Sequence, residues 1–257
     1  MLDQAAMALL LTLLAGLSTL LGTFIILFVK DKNEKIITFS LAFAAGVMIS
    51  ISFTDLWPQA QEAMIQHLGR GWGIITSLAF LVLGILLAAA LDRLVPHQEF
   101  DPETQEKPHQ DLFRVGFVSM LAMALHNFPE GIATFMAGVH DLSMGISLSI
   151  AIAFHNIPEG ISVAMPIYYS TGSKKKAFLA TFWSGIAEPL GALVAFLLLR
   201  PFINDLVLGA SFALVAGIML YISLEELLPS SRQYGQNRLA LIATFVGFCI
   251  MPLSHLF

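Results

Sequence analysis

The string His126-Asn127-Phe128-Pro129-Glu130-Gly131 recurs 29 residues later as His155-Asn156-Ile157-Pro158-Glu159-Gly160. Both copies lie inside long apolar segments, where ionisable side chains are costly and usually functional. In each, histidine and glutamate are four apart, so on a helix they share one face. The proline three residues after each histidine removes a backbone donor and clashes with a carbonyl one turn back. The carbonyl oxygens of Leu125 and Phe154 are then free to turn toward a ligand or water. A lone buried histidine or proline kink is commonly structural. A duplicated six-residue string in apolar surroundings is harder to explain that way. Two imidazoles, two carboxylates and two carboxamides point to a cation site.

A third carboxylate, Glu188, sits midway along another apolar run and is also followed by proline, in Ser184-Gly185-Ile186-Ala187-Glu188-Pro189-Leu190-Gly191. No lysine or arginine lies in the middle of any apolar run. Glu130, Glu159 and Glu188 must therefore be protonated, hydrated or metal-bound. Imidazole with carboxylate is a borderline ligand set that suits Zn, Fe(II), Co or Mn. The lack of thiolates argues against a tight structural zinc site, and weaker binding suits an ion that must leave again. Metal binding to such a set releases protons.

These residues need elements to carry them. The chain is 57% hydrophobic and 12% charged, against about 45–50% and about 25% in globular proteins. That is a membrane composition, and 257 residues can hold about eight helical spans. Apolar runs fall at 6–29, 36–57, 73–91, 113–138, 143–169, 177–199, 202–228 and 239–256. The expected fold is all-α and integral to the membrane, one polytopic domain over 1–257 with eight transmembrane helices. The first run is expected to be a retained span, since Met1-Leu2-Asp3-Gln4 lacks the basic start of a signal peptide.

Val139-His140-Asp141-Leu142 is the polar break between the two motifs, and His126 and His155 are each 14.5 residues from its centre. At ~1.5 Å per residue both lie ~22 Å from the turn. Two antiparallel helices thus bring the motifs face to face near mid-bilayer.

With both termini outside, the inner loops hold Lys30, Lys32, Lys35, Arg93, Lys107, Arg114, Lys174, Lys175, Lys176, Arg232 and Arg238, leaving only Arg70 and Arg200 outside. That bias follows the positive-inside rule. Trp57 and Trp72 then fall near the outer interface, Tyr168 and Tyr169 near the inner one. The 95–112 loop, with His97, Glu99, Asp101, Glu103, Glu106, His109 and Asp111, reads as a solvated cytoplasmic linker. The formal charge of −5 comes without a basic patch interleaved with aromatics, so no nucleic-acid partner is expected. The single Cys249 cannot form an internal disulfide.

A second repeat is less obvious. Ala45-Gly46-Val47-Met48, Ile51-Ser52 and Asp55-Leu56-Trp57-Pro58 match Ala216-Gly217-Ile218-Met219, Ile222-Ser223 and Glu226-Leu227-Leu228-Pro229 at an offset of 171, and Gly16 and Gly22 match Gly185 and Gly191 at 169. Because the matching spans run in opposite directions, spans 1–3 and 6–8 form an inverted repeat around the central pair 4–5, a plan found in secondary transporters with a midplane site. Asp55 then lies near the outer mouth, and Glu225 and Glu226 near the inner one, where carboxylates attract and receive cations.

The paired HNxPEG strings, the SGIAEPLG stretch and the eight-span pattern resemble the ZIP (Zrt/Irt-like) metal transporters over essentially the whole chain. The resemblance implies a binuclear centre on the fourth and fifth helices. His126, Glu130, His155 and Glu159 would form one site, and Asn127, Asn156 and Glu188 the second, with Glu130 and Glu159 bridging. It further implies import of Zn2+ and related divalent ions such as Fe2+, manganese and cobalt into the cytosol. An elevator-like alternating-access motion, a homodimer, a bacterial inner-membrane location with periplasmic termini and an entrance role for Asp55 follow from the same source. Two rivals are an intramembrane metal-dependent hydrolase and a membrane metal sensor. The first usually carries H-E-x-x-H, whereas asparagine follows each histidine here, so no enzyme is expected.

Overall fold

This computed structural model describes residues 2–28, 33–95, 111–199 and 204–256. Among them every regular element is helical. Seven helices are long and apolar enough to cross a membrane: α1 (Gln4–Leu27), α2 (Glu34–Leu68), α3 (Arg70–Leu94), α4 (Leu112–His140), α5 (Leu142–Thr171), α6 (Lys174–Leu198) and α7 (Asp205–Arg232). An eighth, α8 (Asn237–Leu253), is apolar but shorter. Large apolar side chains such as Trp72, Leu86 and Leu197 face outward, as they do in a multi-pass protein with lipid for solvent. The 95–112 linker lies almost wholly outside the described residues.

Local chemistry sets the ends of the helices. Asn33, Asp141, Ser173 and Asn204 accept hydrogen bonds from the backbone N–H groups of Lys35, Met144, Lys176 and Val207, and so cap α2, α5, α6 and α7. Gly172, at φ 68°, closes α5 in the left-handed conformation. One difference from the sequence reading concerns α2. It does not stop near residue 57 but continues to Leu68, and Asp55 lies in a π-helical segment, Ser52–Leu56, inside it. Pro58 fits within the continuing helix because the wide turn leaves its missing donor without a required partner. The matching segment of α7, Ile222–Leu227, is also π-helical and holds Glu225 and Glu226.

Backbone approach divides the helices into two groups. In α2, α3, α7 and α8, a side chain at Gly46 would overlap the Thr244 carbonyl, and one at Gly247 would overlap that of Phe43. The equivalent pair joins the other two helices, Gly217 meeting Leu81 and Gly84 meeting Leu214. In α1, α4, α5 and α6, Gly131 abuts the Glu188 carbonyl and Gly160 that of Thr19, while Gly191 abuts Phe128 and Gly22 abuts Ile157. Each contact maps onto its mate by offsets of 171, 169, 163 or 29. The inverted repeat is therefore a symmetry of packing as well as of sequence. Between the groups, α2 packs on α5 and α7 on α4, through larger side chains such as Leu41, Met48, Met123, Met165 and Met219. Among the described residues, no glycine makes a close backbone contact across that boundary.

Candidate metal centre

The α4–α5 turn at Asp141 brings the two motifs together as the span arithmetic requires. The His126 and His155 rings lie 6.4 Å apart, edge to face. His155 Nε2 is 2.7 Å from Glu130 Oε1. His126 Nε2 lies 3.4 Å from Glu130 Oε2 and 3.3 Å from Glu159 Oε1 without forming a hydrogen bond to either. His126, His155 and Glu159 each offer a donor atom within 4.8 Å of the others'. Pro129 and Pro158 both lie inside continuous helices, so the motif residues project from unbroken α4 and α5.

The carboxamides are oriented by their nitrogens. Asn127 Nδ2 donates to the Ser184 carbonyl at 3.1 Å, and Asn156 Nδ2 donates to the Ala15 carbonyl and to Glu188 Oε2, both at 2.9 Å. Each Oδ1, the atom a cation prefers, is left buried without a partner. α6 turns at Ile186, so Glu188 lies in the first turn of the second half of that helix, fully buried. Its Oε1, Glu130 Oε2 and both Glu159 oxygens are likewise buried without hydrogen-bond partners. Buried polar atoms are normally satisfied, and unpaired carboxylates cost several kcal/mol each. A cluster of unsatisfied oxygens flanked by two imidazoles is what a divalent ion would satisfy.

Asp55, with Gln59, lines a cavity of about 60 Å³ that also reaches Glu130 and His155, room for a few waters. The inner pair is split: Glu225 is exposed, while Glu226 is buried and bound to Arg114. All seven proposed ligands are thus buried; His126, Glu130, His155 and Glu159 contact one another, Asn156 binds Glu188, and Asp55 shares a cavity with Glu130 and His155.

A family model described as ZIP Zinc transporter matches residues 3–113 and 96–254. The chain belongs to the ZIP zinc transporter family. It is 47% identical to the zinc transporter ZupT of Oceanobacillus iheyensis, covering 99% of this chain and 98% of the relative. It is also 47% identical to ZupT of Streptococcus mutans, over 97% and 96%, and 42% identical to that of Campylobacter jejuni, over 98% and 96%. This is a family of transporters, not of enzymes, which removes the hydrolase reading.

In this ZIP protein the sequence reading missed three polar residues. Arg114 is not a loop residue but lies in the first turns of α4, with its side chain 11% exposed. Asp92 at the end of α3 and Tyr221 on α7 join it. The available signal was that Arg114 falls just inside the 113–138 apolar run, where a basic residue needs a partner.

Proposed function

We propose that this protein takes up divalent metal ions, zinc foremost, through the His126–Glu130–His155–Glu159 centre, with Asn127, Asn156 and Glu188 completing a second subsite. The observation that carries the reading is the cluster of buried, partnerless oxygens around two facing imidazoles. Asp55 is the entrance carboxylate and Glu226 the exit one; Glu225 lies exposed beside the exit. Iron, manganese and cobalt as further cargo, two ions at once, a homodimer, and an inner-membrane orientation with both termini outside belong to the same reading.

The geometry supports alternating access. α1, α4, α5 and α6 are locked to one another by glycine-to-carbonyl contacts and carry all seven ligands, while α2, α3, α7 and α8 are locked likewise. Backbone interlocks of that kind resist sliding; the smoother boundary between the groups does not have them. A divalent ion moving inward down the membrane potential gains about 4.6 kcal/mol per 100 mV, enough to drive uptake without a coupled ion.

In proteoliposomes bearing an inward-negative potential, saturable accumulation of zinc is expected, and it should be lost in Glu130→Ala and His155→Ala. Stoichiometric binding without accumulation would favour a sensor instead. Zinc titration of the detergent-solubilised protein should also release protons, because the imidazoles and carboxylates bind metal in their deprotonated forms. Calorimetry in buffers of different ionisation heat measures this, and identical heats in every buffer would contradict it.

A further inference from the structure

Arg114 makes a contact that the transport reading does not use. Its guanidinium binds Asp92 Oδ1 and, at 3.2 Å, Glu226 Oε1, and it also reaches the Asp92 carbonyl at 3.4 Å. Tyr221 donates its hydroxyl hydrogen to Asp92 Oδ2 at 3.0 Å. Asp92 is 8% exposed and Glu226 4%. Every other lysine and arginine among the described residues is exposed.

The placement of the network matters more than its strength. Arg114 belongs to the group of helices that carries the metal ligands, while Asp92, Tyr221 and Glu226 belong to the other group. This ion pair therefore ties the two groups together, where the glycine contacts do not. It sits twelve residues before His126 on α4, about 18 Å along the helix axis. The offset of 171 maps Asp55 onto Glu226, while that of 29 maps Arg114 onto Ser143, which carries no charge. At Asp55 a cavity leads to Glu130 and His155. At Glu226 a guanidinium occupies the equivalent carboxylate.

We propose that Arg114 is a tethered surrogate cation that latches the inner end of the pathway. It holds Glu226 and Asp92 while the centre faces the opposite side, and it must part from them before a metal ion can leave. The proposal rests on the uptake reading above. Arginine suits the task because it stays charged at every physiological pH and its planar fork can bridge two carboxylates. The latch therefore opens by movement of the helix groups, which rehydrates all three charges, or by exchange with an arriving divalent ion. Arg114 is a positioning residue in this scheme and never touches the ion at the centre.

The test uses the full-length protein with Cys249→Ser and Ser119→Cys. Ser119 is buried on α4 between Arg114 and His126, seven residues before the latter and so on its face. A membrane-impermeant maleimide is applied to vesicles from the face that bears Arg114. Labelling should be slow in the parent and faster by about five-fold or more in Arg114→Gln. Arg114→Gln alone leaves two buried carboxylates unpaired and can weaken the fold. A second variant, Arg114→Gln with Asp92→Asn and Glu226→Gln, removes every charge of the network and should label equally fast. Unchanged labelling in both variants, with zinc uptake by the parent intact, would overturn the latch and leave the transporter reading standing. Absence of zinc uptake by the parent would instead sink the reading on which the latch rests.

Discussion

Replacing Glu130, Glu159 and Glu188 together by glutamine is expected to abolish zinc uptake while leaving the protein at least as stable as before. The two effects have a common origin. Three buried carboxylates with unpaired oxygens carry a desolvation penalty of several kcal/mol each, and glutamine keeps their shape without the charge. Glutamine at 130 keeps a hydrogen bond to His155 Nε2, which lies 2.7 Å from Glu130 Oε1, and removing an unpaired buried charge is neutral or stabilising. The ion, however, loses every anionic ligand of the centre and is left with imidazoles and amides. Uptake into proteoliposomes should fall by about 100-fold or more, with the thermal unfolding midpoint in detergent unchanged or raised. A triple variant that still fills vesicles at the parental rate would show that the cluster is not the ion's route. A triple variant that fails to fold would show that these carboxylates serve structure.

Gly131→Ala should be nearly as damaging, although the added methyl group is apolar and the site buried. A Cβ at position 131 would overlap the backbone carbonyl of Glu188. Backbone cannot rotate away as a side chain can, so α4 and α6 must separate. That displaces Glu188 from Asn156, to which it is hydrogen-bonded at 2.9 Å. Overpacking of this kind costs about 1–3 kcal/mol, and a ligand shift of about 1 Å can cost on the order of 100-fold in rate. The symmetry mate Gly160→Ala, which presses on the Thr19 carbonyl, should behave alike in stability. Gly71→Ala is the control, because nothing lies near its added methyl group, and it should stay within about 0.5 kcal/mol of the parent. Uptake and thermal stability of the three variants provide the comparison. Parental behaviour in Gly131→Ala would mean that the α4–α6 contact is looser than drawn.

The duplicated motif was legible because its residues conflict with their surroundings. Histidine and glutamate in an apolar run have few explanations, and their fourfold spacing places them on one helix face. The distance of each motif from the Asp141 turn did the rest, since antiparallel helices of equal reach must meet. The π-helical turns around Asp55 and Glu226 were not legible. They add one residue to a helical turn without a change of composition; α2 in turn read as ending near 57 because Pro58, Gln59, Gln61, Glu62, Gln66 and His67 make its last turns polar, although it runs to Leu68. The repeat pairs Glu226 with Asp55, yet which way Glu225 and Glu226 face was not legible. Adjacent residues on a helix differ by about 100° in direction, and only packing decides that Glu226 faces inward and Glu225 outward.

Taken alone, the amino-acid order determined the membrane solvent, the apolar runs, the internal repeat and the residue types of the candidate centre. Each of these is a local or periodic property, carried by the polarity and spacing of neighbouring residues. Tertiary structure decided which groups face one another. It left the oxygens of Asn127 and Asn156 free by engaging their nitrogens, and joined α1, α4, α5 and α6 through glycines that admit a neighbour's carbonyl. It also drew Arg114, on one helix group, onto Asp92 and Glu226 of the other. These contacts join residues far apart in the chain, and their energies depend on distances that no spacing along a single helix can encode.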